Sequence, residues 1–382
     1  MRFAKLIRRN LFRNKARAIL TMCLIAAIFF FVAVLLSILK NFTMFADAGA
    51  GTKRLAVQSA ISLANALPFS HEAKIRQIEG VEDTCKLQWL GCYYKEPKNF
   101  FANFAVDQDK MATVFDDYKI DPAALHRFQT ERRGAIVGPE LVKRFGWKVG
   151  DKITLKSQIF PFNPEVTIFG VYQHNIDSSS LFLRDDYYNE SVPPGLRDHV
   201  GTFWVKVKDA SQMARISQQI DEMFRNNEDP TETFTEKEFQ LNFMSMMGNI
   251  KLLFTSIAVC SVFMVILLAA ITMSMSARER VTEISVLKAI GFGKRLVLTL
   301  MLIEFTLMAF VGGILGIIGG KIFCAFAPIT RWTSGFLVNF DIYQEPMLVS
   351  LAVSILVGIL AGGWPALRAA NMSVVDGLRR VV

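Results

Sequence analysis

The chain has 382 residues, of which 52% are hydrophobic, with a mean hydropathy of +0.32 and a formal net charge of +9. That apolar content is too high for an ordinary soluble domain and points to the membrane. The basic excess argues against nucleic acid by its placement: Arg2, Lys5, Arg8, Arg9, Arg13, Lys15 and Arg17, then Arg278, Arg280, Lys288, Lys294 and Arg295, then Arg368, Arg379 and Arg380, each group beside an apolar run. Cations so placed set topology and meet lipid headgroups.

Residues 1–17 put Phe3, Leu6, Ile7 and Leu11 on one helical face among the cations. The pattern fits an amphipathic helix lying on the cytoplasmic leaflet, and equally a plain positive flank. Residues 18–39 carry no charge and are long enough to cross the hydrocarbon core as a helix. Ala46-Asp47-Ala48 mimics a signal-peptidase site, but the run before it exceeds a signal's apolar core, so a retained helix is expected.

Residues 41–247 are polar and mixed in charge, with room for one or two folded domains, and lie outside if the basic N-terminus lies inside. Alternation and turn residues predict strands at Arg54–Ala60, Asp83–Tyr94, Asn99–Val106, Ala135–Gly138, Lys152–Lys156, Glu165–Tyr172 and Thr202–Lys208. Helices are expected at His71–Glu79 closed by Gly80, at Pro139–Phe145, and at Ala210–Phe224 capped by Asp209 or Ser211. The class is mixed α/β. There is no G-x-S-x-G, no H-E-x-x-H and no Cys/His pairing of useful spacing, and His71, His126, His174 and His199 are scattered, so no catalytic or metal residues are assigned. Cys85 and Cys92 pair only if a hairpin lies between them. Phe100, Phe101, Phe104, Phe160, Phe162 and Phe182 read as core aromatics in preference to a binding surface.

Glu236–Lys251 reads as an amphipathic stalk helix running into a second span at 252–277. The charged loop 278–295 follows, with Val281, Ile284 and Leu287 at helical spacing and Gly291 and Gly293 closing a short helix. Its cations fit a retention loop, and its patterned helix fits a docking element for something cytosolic. A third span at 296–320 contains Glu304, suited to a hydrogen bond with a neighbouring helix or to proton relay. A loop at 321–345, a fourth span at 346–367 and a tail at 368–382 complete the chain, with both termini inside. Gly312, Gly316 and Gly320, and Gly358 and Gly362, recur every four residues and allow close helix approach, within one chain or between two. Gly319-Gly320-Lys321 lacks the remaining P-loop residues, so no nucleotide site is expected on this chain.

The order of parts resembles the MacB/FtsX-like (type VII) ABC transporter permease family. Arg278-Glu279-Arg280, Glu283-Ile284 and Leu287-Lys288-Ala289-Ile290-Gly291 resemble its loop signature; Ile303-Glu304 with the following glycines resembles its third helix. Pro365-Ala366-Leu367-Arg368-Ala369-Ala370 with Val375 and Gly377-Leu378-Arg379 resembles its C-terminal ending, with Gly377 departing from the family's Ala. Gly80-Val81, Ala135–Gly138 and Val149-Gly150-Asp151 resemble its MacB-like periplasmic core domain. The resemblance implies a multi-pass protein of the bacterial inner membrane, with 41–247 periplasmic. It implies a dimer, with a second permease copy or a homologue, and in some members a periplasmic adaptor. The loop becomes a coupling helix in which Arg278, Glu279, Arg280, Glu283, Ile284, Leu287 and Lys288 meet a cytosolic ATPase. The MacB exporter carries a fused ATPase domain before its first span, and none precedes residue 18, so ATP and Mg are expected on a separate subunit. The expected work is mechanotransmission that exports or extracts a hydrophobic cargo such as a lipoprotein, peptide, lipid or drug. The alternative is an FtsX-like regulator of a partner such as a cell-wall hydrolase, and a more distant one an ATP-independent receptor or adhesin.

Overall fold

The computed structural model describes residues 15–174, 177–246, 249–327, 329–333 and 340–374. Most of the expected interfacial helix at 1–17 lies outside them, as do Val375, Gly377, Arg379 and Arg380 of the tail. Two units divide the chain: 1–41, 249–327 and 340–382 form one, and 42–248 with 328–339 the other.

The inserted unit is built on a mixed sheet. Its strands are β1 (Arg54–Ser59), β2 (Leu67–Pro68), β3 (Val81–Trp89), β4 (Cys92–Tyr94), β5 (Asn103–Val106), β6 (Gly134–Val137), β7 (Lys152–Ser157), β8 (Glu165–Val171), β9 (Leu181–Arg184), β10 (His199–Val200), β11 (Thr202–Val207) and β12 (Thr231–Thr235). Ten of them run in the order β12-β1-β11-β3-β5-β9-β6-β8-β7-β4, while β10 and β2 form a separate small ladder. Among the described residues, only β5/β9 and β6/β8 pair in parallel.

Period-two alternation fills two cores from the same strands. Leu55, Val57, Phe203, Val205 and Val207 face a helix at Met213–Phe224, whose Ile216, Ile220 and Phe224 recur every fourth residue. Ala56 and Trp204, on the other face, join Phe128, Tyr172 and Phe182. A third cluster around Phe101, Trp147, Leu155 and Tyr188 occupies the β4–β7 end. Five of the six phenylalanines are core: Phe101 and Phe182 are buried, and Phe104, Phe160 and Phe162 pack against these clusters, while Phe100 is half-buried against Trp89 outside them.

Edge strand β12 is closed to further pairing. Asp221 accepts from the Thr233 amide and from the Thr231 and Thr233 hydroxyls, and Ser217 Oγ donates to the Thr233 carbonyl. The chain then turns at a capping box: Thr235 Oγ1 accepts from the Glu238 amide and Glu238 accepts from the Thr235 amide, starting the helix Glu236–Met246. The expected stalk differs. That helix ends at Met246, and a new one starts at Ile250, because Asn249 leaves the helical region (φ −77°, ψ 68°) and its side chain accepts from the Leu252 amide. No hairpin joins Cys85 to Cys92; β3 and β4 pair with other strands and both thiols are free. Burial pushes the Cys85 thiol well up and that of Cys92 up to about 12, so neither is poised to react.

One buried cation organises the start of this unit. Arg54, 4% exposed, gives Nη1 and Nη2 to Asp117 at 2.6 and 2.7 Å and Nε to Glu236 at 2.7 Å. His174 Nδ1 accepts from the Asp177 amide, so its Nε2 donates to Asp117 at 3.2 Å. Burial alone would raise the Asp117 carboxyl, but hydrogen bonds from Arg54 and His174, with the Arg54 charge, hold it well below its ordinary 3.8.

The other unit is four helices long and apolar enough to cross a membrane: Ala18–Met44, Lys251–Glu279, Lys294–Phe326 and Gln344–Asn371. They outrun the uncharged stretches read from sequence because a helix continues into the headgroup layer, where long cationic side chains are tolerated. The third span is the hub. A Cβ on Gly312 would lie 2.7 Å from Ile25 Cγ2, and one on Gly316 would meet the Ala26 carbonyl and the Phe30 amide of the first span. Gly320 abuts Ile342, while a Cβ added to Gly358 or Gly362 of the fourth span would come within 2.6 Å of Thr306 Cα or 2.8 Å of Phe305 Cβ. The small-residue stripes are thus consumed within one chain. Lys40–Glu345 at 2.8 Å and Asn41 Nδ2 donating to Tyr343 Oη at 2.9 Å join the first span to the approach of the fourth.

Two outcomes are expected. Gly316→Val should lower the apparent melting temperature of the detergent-solubilised chain, by about 1–3 kcal/mol of overpacking, whereas Gly319→Val, with open space around it, should not. An equal response from both variants would refute the close packing. For Asp117, the folded pKa lies below the unfolded one, so its contribution is whole above 3.8 and drains away as acid takes the pH lower. Asp117→Asn should therefore be less stable near neutrality and lose less on acidification below about pH 4, read by thermal unfolding of the full chain.

Candidate functional site

The second span stops at Glu279, and Arg280 (φ −101°, ψ 9°) both closes it and opens a short helix, Val281–Ala289. Gly291, at φ +104°, ends this helix in a conformation that costs a side chain dearly, and its amide donates to Lys288 O. The third span begins at Lys294.

The helix has two apolar sides. Val281 and Ile284 point inward, and Ile284, 5% exposed, packs with Ala277, Val297, Met301, Phe305 and Ala366. Ser285 is buried with them, its hydroxyl donating to Val281 O at 2.9 Å. Val286 and Ile290 point outward at 45% and 70% exposed, with Thr282 and Ala289 beside them.

Both ends are tied to other spans. Arg280 Nη1 lies 2.6 and 2.7 Å from the two carboxylate oxygens of Glu304, which is 5% exposed on the third span. Breaking such a pair by removing one partner costs roughly 3–5 kcal/mol, because the other charge is left buried. Lys288 Nζ donates to the carbonyls of Ala370 and Met372 at 2.6 Å each. These belong to the end of the fourth span, where carbonyls lack intrahelical partners and the helix dipole favours a cation.

The residues singled out from the sequence therefore fall into two groups. Arg278 and Glu279 are exposed at the end of the second span, and Glu283 and Leu287 are half-buried. Arg280, Ile284 and Lys288 are instead occupied within the chain: the first and last by hydrogen bonds to neighbouring spans, Ile284 by burial. Sequence reading grouped Ile290 with Val281, Ile284 and Leu287 without giving it an outward role, and missed Val286. The i, i+4 spacing of Val286 and Ile290 was visible, but apolar residues fall nearly all round this helix, and only packing tells the outward pair from the inward one. Glu304 accepts from Arg280 at 2.6 Å. Among the described residues no group of three His, Cys, Asp or Glu could hold a metal. Gly319-Gly320-Lys321 lies inside the third helix, so its amides are in the helical ladder and cannot cradle phosphate.

Four candidate spans, a mixed α/β insertion after the first and a short helix between the second and third define a multi-pass membrane protein. Residues 18–223 match the MacB-like periplasmic core domain and residues 255–374 the FtsX-like permease C-terminal model. The chain belongs to the MacB/FtsX family of ABC transporter permeases, whose members work with an ATPase partner. It is 24% identical over 316 residues to an uncharacterized ABC transporter permease of Methanocaldococcus jannaschii, covering 80% of this chain and 77% of that one. It is 27% identical over 198 residues to the macrolide export ATP-binding/permease protein MacB of Neisseria gonorrhoeae, covering 51% of this chain but 28% of that protein. The crystal structure of the periplasmic region of MacB from Actinobacillus actinomycetemcomitans aligns over 52% of this chain and 95% of that one, with a TM-score of 0.39 and 10% identity.

Proposed function

We propose that this chain is the membrane subunit of an ABC machine driven by a separate cytosolic ATPase. The observation that carries this is the outward pair Val286 and Ile290, large apolar side chains exposed on the short helix and at its C-cap, outside the candidate spans. Burying one such side chain gains about 1.5–3 kcal/mol, so the pair supplies the apolar centre of a docking patch. Arg278, Glu279, Lys294 and Arg295 flank it as a charged rim.

The cations beside the spans favour both termini and this helix in the cytoplasm, with residues 41–247 on the far side of an inner membrane. ATP and Mg belong to the partner, and the permease works as a dimer. The relative from Neisseria gonorrhoeae is named for macrolide export. For this chain we extend that to ATP-driven export or extraction of a hydrophobic cargo (lipoprotein, peptide, lipid or drug), with a periplasmic adaptor as a further partner.

The test is affinity purification in mild detergent, with mass spectrometry and an ATPase assay on the eluate. An ATP-binding subunit should follow the wild type, and Ile290→Asp should lose it while still inserting, since an unpaired carboxylate in an apolar contact costs several kcal/mol. Capture of no nucleotide-binding protein, or full ATPase activity in Ile290→Asp, would overturn the reading.

A further inference from the structure

Resting on the docking reading above, we infer that Arg280 and Lys288 are positioning residues. They splint the loop helix to the third and fourth spans, so that displacement of the helix moves those spans rather than bending the loop.

The geometry has three parts. First, the loop helix Val281–Ala289 is only nine residues long and is separated from both adjoining spans by non-helical backbone, at Arg280 before it and at Gly291 to Gly293 after it. Without side-chain ties such joints behave as hinges. Second, the ties sit at the two ends of the helix and reach different spans. Arg280 bonds Glu304 of the third, twenty-four residues on; Lys288 bonds Ala370 and Met372 at the end of the fourth, more than eighty residues on. Third, the first tie is shielded: Glu304 is 5% exposed and the Arg280 side chain 16%, so that charge-assisted pair is only weakly screened by water, while Lys288 is half-buried. Ile284 packing against Ala277, Met301 and Ala366 fills the space between the ties. A load applied at Val286 and Ile290 therefore meets a body fixed at both ends.

The experiment uses the full chain in lipid nanodiscs. Hydrogen exchange reads two things: the amides of 281–289 without any partner, and the ATP-driven change across residues 41–247 once the co-purified ATPase is present. Glu304→Gln and Lys288→Met should each speed exchange in 281–289 by about ten- to hundredfold, as expected for losing a hydrogen bond to a charged group. With the ATPase bound, both variants should still capture it and hydrolyse ATP, but the ATP-driven change in 41–247 should fall at least severalfold. Arg280→Glu combined with Glu304→Arg should restore coupling that either single change loses, which a general folding defect would not allow. Unchanged exchange in 281–289, or coupling at the wild-type level in Glu304→Gln and Lys288→Met, would overturn the splint. If the wild type captures no ATPase, the docking reading fails, and the partner-free exchange measurement still decides whether the ties hold the helix.

Discussion

The constraint on which the membrane unit depends is that backbone in hydrocarbon must satisfy its own hydrogen bonds. That rule keeps the four described spans continuous as helices, with Pro365 the internal position of the fourth that lacks a ladder donor, and puts the breaks between helices at their ends. Arg280 is such an interruption. The ladder of the second span stops there, the short helix starts there, and the residue at the break carries the guanidinium that reaches Glu304. A carboxylate buried on the third span would be costly alone, and Arg280 offsets that cost while holding the short helix in place. One ion pair thus meets a solvation demand and a geometric one.

The inserted unit uses the same device. Arg54 opens β1 and holds Asp117, from the segment after Met111–Val114, and Glu236, the first residue of the helix Glu236–Met246. In both places arginine is used, and its planar set of five donors explains why: Arg54 meets two carboxylates and the Val114 carbonyl at once, which a lysine ammonium cannot do with fixed geometry. The beginning of β1 and the beginning of the helix Glu236–Met246 are thereby fixed to each other, although 182 residues separate them.

Span number and the class of the insertion were legible because uncharged runs and period-two strands are one-dimensional signals. β1, β8, β11 and the helix at Pro139–Phe145 lie where alternation and the first-turn proline put them. The misses came where the deciding force is three-dimensional. Leu181–Arg184 and Thr231–Thr235 are short strands whose pairing partners, β5 and β6, and β1, supply what local pattern lacks. The long strand expected over Asp83–Tyr94 breaks at Gly91, in left-handed backbone, so that β4 leaves β3 and pairs with β7. The expected stalk breaks at Asn249, whose capping bond outweighs the continuing apolar pattern. At the loop helix the residues were legible but not their directions: Ile284 and Ile290 look alike in sequence, and only the neighbouring Met301 and Ala366 make one of them core.

The glycine stripes bear on assembly. Gly312, Gly316, Gly320, Gly358 and Gly362 each meet another segment of the same chain at contact distance. What the second span leaves uncovered is bulky: Val259, Phe263, Met264, Leu267 and Ile271 are all exposed. In lipid such a face gains no hydrophobic free energy by leaving the acyl chains, because the solvent is as apolar as the side chains. Small residues, which let backbones approach and dispersion contacts accumulate, are the usual source of tight helix association there, and here they serve the chain's own bundle. A dimer of this permease would therefore draw little of its stability from the second span. It would depend on surfaces in water, where burying Val286 and Ile290 against a partner carries a full hydrophobic gain. If the proposed machine is right, the loop helix would have two consequences in it: it would receive the motion of the ATPase, and its docking would contribute to holding two permeases in one complex.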